Sequence, residues 1–106
     1  MRSRPTRRAQ RDIEDEIAPL ALEAGEEMAI RFHDGVKTSV AHIERFPRIG
    51  SPRLWRHSRL RGIRCWPIIG FSGHVLYYHV QRTEIRVLRI LRPGVLAENT
   101  LLTPYD

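Results

Sequence analysis

One cysteine and one lysine, Cys65 and Lys37, are all that 106 residues contain of either type. A lone cysteine closes no internal disulfide, and no second Cys or spaced His cluster completes a zinc site around it. Cys65 therefore reads as a small strand residue, and no metal or other cofactor is implied. Long hydrophobic runs are missing too. Nothing approaches the roughly 18 apolar residues needed to span a bilayer, and the five arginines of residues 1–11 precede no apolar segment of a signal peptide. A cytoplasmic location with no membrane partner is the expectation. Because lysine is nearly absent, 17 of the 18 basic residues are arginine, whose planar fork suits bidentate contacts to phosphate or carboxylate. A composition bias of the genome accounts for that preference equally well.

What is present fits a single domain over residues 1–106: 42% hydrophobic and 28% charged residues are ordinary for a folded chain of this length. The net charge of +6 is unevenly distributed. Residues 1–11 carry +5, residues 12–34 carry −7, and residues 48–64 carry +6 without an acid. Such blocks argue for one basic binding face that meets a polyanion or an acidic partner, rather than a uniform nucleic-acid coat.

Thr6 is a candidate cap for a helix whose apolar residues Ala9, Ile13, Ile17, Leu20 and Ala24 recur every three or four positions. Its acids, Asp12, Glu14, Asp15 and Glu16, are expected on the outward side. Pro19 predicts a kink or an early end before Gly25. From Glu26 the series Met28, Phe32, Val36, Val40 and Ile43 predicts a second helix, closed by Phe46-Pro47 and antiparallel to the first. Residues 47–58 read as a loop. Three β-like runs follow: Leu60 to Ile69, where Pro67 suggests a bulge or an edge; His74 to Val80; and Glu84 to Leu91. A helical hairpin on a small antiparallel sheet makes an α+β fold. Both alternating sets of the last two runs are apolar, and one hairpin covers one face only. The second face is therefore expected to lie open for a partner. Which set meets the helices depends on register, because a slip of one residue exchanges the faces.

This order resembles the ParE/RelE superfamily, the plasmid-stabilisation toxins of type II toxin–antitoxin systems, on its ParE side. Thr6, Ala9, Asp12-Ile13 and Ile17 are similar to the family's opening pattern. Gly25, Ala29 and Phe32 resemble its entry to the second helix, and Phe46-Pro47-Arg48-Ile49-Gly50 its exit. Leu60-Arg61 looks like the start of its second strand, and Tyr77-Tyr78 with Ile85 to Leu91 like its last two strands. The resemblance spans residues 4 to 91. Two departures accompany it. Arg92 stands where a His is common, with Pro93-Gly94-Val95-Leu96 in place of a basic end, and Met1 to Pro5 is too short and Arg-rich to show a clear first strand, which is expected to be frayed or missing.

The resemblance implies a cognate ParD-like antitoxin and one of two targets. ParE-like members inhibit DNA gyrase by binding; RelE-like members cleave mRNA on the ribosome and need a general acid or base near the scissile phosphate. For cleavage the chain offers His57 with Arg61 and Arg64, and beyond these His79, Tyr77, Tyr105 and Arg89; a strand His such as His79 is more often a packing or surface residue. For binding a target it offers Arg59, Arg61, Arg64, Arg86, Arg89 and Arg92, which are expected to merge into one basic surface. For the antitoxin it offers Trp66, Val75, Tyr77, Val87 and Arg89 on the open face. Three classes stand at this point: a gyrase-binding toxin, a ribosome-dependent endoribonuclease and a simple nucleic-acid-binding module. The first is preferred.

Overall fold

In the computed structural model, which describes residues 1–103, Thr6 begins the first helix by accepting the Ala9 amide on its hydroxyl oxygen at 3.0 Å. Helix α1 then runs Arg7–Ala24 and helix α2 Glu26–Arg45, with Gly25 between them. Pro19 does not end α1. It lies on the exposed side, while Ile17 and Leu20 pack against the core on either side of it and hold the helix through the missing hydrogen bond. At the far end the Phe46 amide closes α2 on the His42 carbonyl.

Five strands form one sheet: β1 (Ser3–Pro5), β2 (Ser51–Pro52), β3 (Arg64–Pro67), β4 (Val75–Val80) and β5 (Ile85–Leu91), in the order β1-β5-β4-β3-β2. The first strand is present, and it pairs parallel to β5, Ser3 with Ile85 and Pro5 with Val87. The sheet is therefore mixed rather than wholly antiparallel. Pro67 ends β3 beyond the reach of the two-residue β2, so its missing N–H faces an open edge. A bulge at Tyr77/Tyr78 leaves Leu88 without a partner across β4 and β5.

Register sets the faces. Leu76, Tyr78, Ile85, Val87 and Ile90 meet Phe32, Val36 and Ile43 of α2 and Ala9 of α1 in the main core. The opposite set does not lie open. A short helix α3 (Ala97–Leu102) and a 3₁₀ turn, Ser58–Leu60, fold over it, enclosing Leu60, Ile63, Tyr77, Leu88, Leu91, Ala97 and Leu101. The apolar second face is thus covered by the chain's own later segments. Among the described residues no helix is long and apolar enough to cross a membrane.

Candidate functional site

Three elements converge on the sheet face opposite the helices. The segment entering β3 brings Arg59, Arg61 and Ile63, β4 brings His79 and then Gln81, and β5 brings Arg86 and Leu88. Together with Thr6 they line an open cleft of about 220 Å³. Arg59 and Arg61 are exposed and Arg86 half-buried, and none of these guanidinium groups makes a hydrogen bond or ion pair among the described residues. Glu84, the acid whose titration Arg86 influences, is already bound by Arg4 at 2.7 Å. Gly62 (φ 90°) keeps the wall thin: a Cβ there would stand 3.1 Å from His79 Nε2.

Arg61 also borders a second cleft, lined by Arg53, Leu54, Trp55, Arg56, His57, Ser58 and Gly62. His57 caps the 3₁₀ turn, its Nδ1 accepting the Arg59 amide at 3.2 Å, and its own amide donates to Glu98 of α3 at 3.1 Å. Trp55 donates its indole N–H to the Ile63 carbonyl at 3.1 Å, and Arg53 lies over the Trp55 ring at 5.0 Å. Arg53 also donates to the Tyr77 hydroxyl at 3.3 Å. Burial pushes the Tyr77 phenol up, against the opposing pull of Arg53. It pushes the half-buried Cys65 thiol up as well.

The remaining sequence-predicted arginines are elsewhere. Arg64 turns to the exit of α2, donating to the Gly50 carbonyl at 2.7 Å, beside the Tyr78 hydroxyl that accepts the Gly50 amide and donates to Pro47. Arg89 is 6% exposed and held by Asp12 of α1. Arg92 lies with Arg8 in a cleft that also contains Asp12, Asp15 and Glu16, 3.9 Å from Glu16. So the expected single basic surface is divided. One part, Arg53, Arg56, Arg59, Arg61 and Arg86, forms no ion pair among the described residues, while Arg89 and Arg92 meet the acids of α1. Two of those acids, Asp12 and Glu16, point inward to Arg89 and to His74 and Arg92, not outward as the helical pattern alone suggested.

The residues expected to contact a partner protein also divide. Val75 and Tyr77 lie on the arginine side under α3, Trp66 and Val87 on the helix side, with Val87 enclosed in the main core. Tyr105 lies outside the described residues. Sequence reasoning undervalued His79 and passed over Gln81. The available signal was the two-residue alternation that puts His79 on the face of Tyr77. It also passed over an apolar groove of about 470 Å³ formed by Met1, Phe46, Pro47, Ile49 and Val80, rimmed by Arg45 and Arg48.

A family model described as the ParE toxin of the type II toxin-antitoxin system, parDE, matches residues 4–93. Among solved structures, a chain of the chromosomal ParDE TA system from P. aeruginosa superposes with a TM-score of 0.73 at 21% identity, covering 89% of this chain and 97% of that one. That likeness establishes a shared fold. No curated protein matches the sequence.

Proposed function

Because the chain belongs to the ParE toxin family of type II toxin–antitoxin systems, we propose that it acts by binding and inhibiting DNA gyrase, without cleaving a bond, and is neutralised by a ParD-like antitoxin. The observation that carries this reading is the cleft of Arg59, Arg61 and Arg86, three permanently charged side chains that converge on an exposed face with no carboxylate among its lining. Charge left unneutralised inside the chain is available to a partner. His57, the leading candidate for an acid or base, serves as a turn cap with Nδ1 already occupied, which supports a structural role for it. The antitoxin is proposed to meet that positive surface with acidic side chains, whereas Val75 and Tyr77, covered by α3, would come into contact only if that helix moved aside.

Two assays test the choice: supercoiling by purified gyrase, and mRNA cleavage by translating ribosomes. Inhibition of gyrase that weakens in Arg61→Glu and persists in His57→Ala is expected. Translation-dependent mRNA cleavage abolished by His57→Ala, with supercoiling untouched, would overturn the reading in favour of a RelE-like endoribonuclease, since losing a general acid or base costs about 10²–10⁴-fold in rate.

A further inference from the structure

We infer that the Arg59–Arg61–Arg86 cleft is a subsite for the phosphodiester backbone of DNA, so that the chain grips nucleic acid directly at the surface it presents to its target. The inference deepens the gyrase reading and rests on it only for the choice of DNA as the polyanion. Three observations carry it.

The first is the contrast between two arginine-lined clefts of similar size in one small protein. Beside β5 and α1, Arg8, Arg89 and Arg92 are accompanied by Asp12, Asp15 and Glu16. On the sheet face, Arg59, Arg61 and Arg86 are accompanied by His79, Gln81 and Thr6, with no acid. Like charges brought together in a concave site repel one another and focus a positive potential, and an anion entering between them relieves that repulsion. The guanidinium fork matches two oxygens of a phosphate at once.

The second is what the cleft lacks. No Phe, Tyr or Trp side chain lines it, because Tyr77 is packed beneath the α3 layer, beside Trp55, and the imidazole of His79 is the one ring in its wall. One imidazole offers little of the stacking platform that successive bases need, so the contact is to backbone and independent of sequence. An acidic peptide requires apolar anchorage beside its carboxylates, and here Ile63 and Leu88 are only 4% and 5% exposed. The exposed apolar side chains nearest to a groove lie outside this cleft, at Met1, Phe46 and Ile49 and at Leu54 of the neighbouring cleft.

The third is continuity. Arg61 belongs to both this cleft and the neighbouring one with Arg53 and Arg56, which gives a track of five arginines rather than a point site. Successive phosphates of one strand are the ligand such a track fits.

The test is fluorescence anisotropy of a short labelled DNA duplex titrated with the purified full-length protein over a series of salt concentrations. Affinity should fall with salt, and each of Arg59→Gln and Arg61→Gln should lower the slope of log K against log salt by about 0.9, the value for one lost phosphate contact. Arg31→Gln, the same charge change on exposed α2, should leave the slope unaltered. Absence of duplex binding, or a slope reduced equally by Arg31→Gln, would overturn the inference. So would an acidic peptide that binds through Arg59 and Arg61 while duplex binding shows no dependence on them. Supercoiling assays on the same proteins separate the two readings. Gyrase inhibited by a protein whose duplex binding ignores the cleft substitutions removes the subsite and spares the gyrase reading. Cleft-dependent duplex binding by a protein that leaves gyrase active does the reverse.

Discussion

Asp12 and Arg89, one on the first helix and one on the last strand, are joined by two hydrogen bonds of 2.7 and 2.9 Å, and Asp12 Oδ2 also accepts the Ile90 amide at 3.0 Å. The three-residue β1 leaves the edge of β5 unpaired beyond Val87, and α1 takes over from there. The Thr6 amide donates to Val87 and its hydroxyl to Leu88, before Asp12 reaches Ile90. Side-chain exposures of 10% for Asp12 and 7% for Arg89 make this a desolvated pair. Removing one partner strands a buried charge, so Asp12→Ala is expected to cost about 3–5 kcal/mol in urea unfolding. Replacing both by apolar residues should cost less than either single change. A double variant as unstable as the sum of the singles would show that the pair itself is not the source of the loss.

Tyr78 closes the exit of α2 on the sheet, and its hydroxyl is the partner of the buried Gly50 amide at 2.8 Å. Tyr78→Phe should lose about 1–3 kcal/mol because that amide is left without an acceptor. Burial, first among the causes, raises the Tyr78 phenol above the ordinary tyrosine value, with the Gly50 amide and Arg64 pulling the other way. A folded value above the unfolded one favours the protonated native state. Its contribution is complete below the ordinary value of about 10 and is lost as pH rises through the folded value. Unfolding followed upward from about pH 8 should therefore show a shallower alkaline decline in Tyr78→Phe than in the parent, the residue of it coming from Tyr77 and Cys65.

Gly35 sits in the middle of a helix, where Ala is ordinarily better by about 1 kcal/mol. A Cβ at this position would stand 2.6 Å from the Ile69 carbonyl oxygen. Ile69 has no freedom to retreat, because its amide donates to Ser39 Oγ at 2.9 Å and that hydroxyl donates to the Gly35 carbonyl at 2.7 Å. Overpacking against pinned backbone costs about 1–3 kcal/mol, more than the helical gain. Gly35→Ala should lower the urea midpoint, and a raised midpoint would show that the contact relaxes freely.

The cover over the second apolar layer is open to a chemical probe. The Cys65 thiol, pushed up by burial and donating weakly to the Ser51 carbonyl at 3.6 Å, should alkylate more slowly than the same thiol in urea, and faster as pH rises and thiolate forms. Leu101, 2% exposed, is the deepest residue of α3. Leu101→Ala leaves a cavity under a six-residue helix and should accelerate the labelling of Cys65 in native buffer, besides costing about 2–5 kcal/mol if the cavity does not collapse. An unchanged rate would mean that α3 does not guard that side of the sheet.

The elements that declared themselves in the sequence are those with a local cause. Thr6 three residues before Ala9, the run Phe32, Val36, Val40, Ile43, and Phe46-Pro47 each act within a turn or two, so periodicity and capping read them directly. What escaped depends on pairings between distant segments. Periodicity assigns Asp12 to a helix flank and says nothing of Arg89, 77 residues away. Helix α3 is too short to show a period, and its cause is the apolar layer it covers. The arginines were legible as a set but not as two sets, because β4 intervenes between the segment bearing Arg61 and the strand bearing Arg86, and because Arg64 is diverted to the Gly50 carbonyl. His79 was legible in position and not in company.

The parallel pairing of β1 with β5 also fixes when the molecule comes into being. Arg4 and Glu84, which close one end of that pairing, are 80 residues apart. At synthesis rates of about 5–20 residues per second, the first strand waits roughly 4–16 s for its partner to be made. Until then β5 is absent, and with it Arg86 and the floor of the arginine cleft. The fold, and any activity that depends on that cleft, therefore begins only once β5 has left the ribosome.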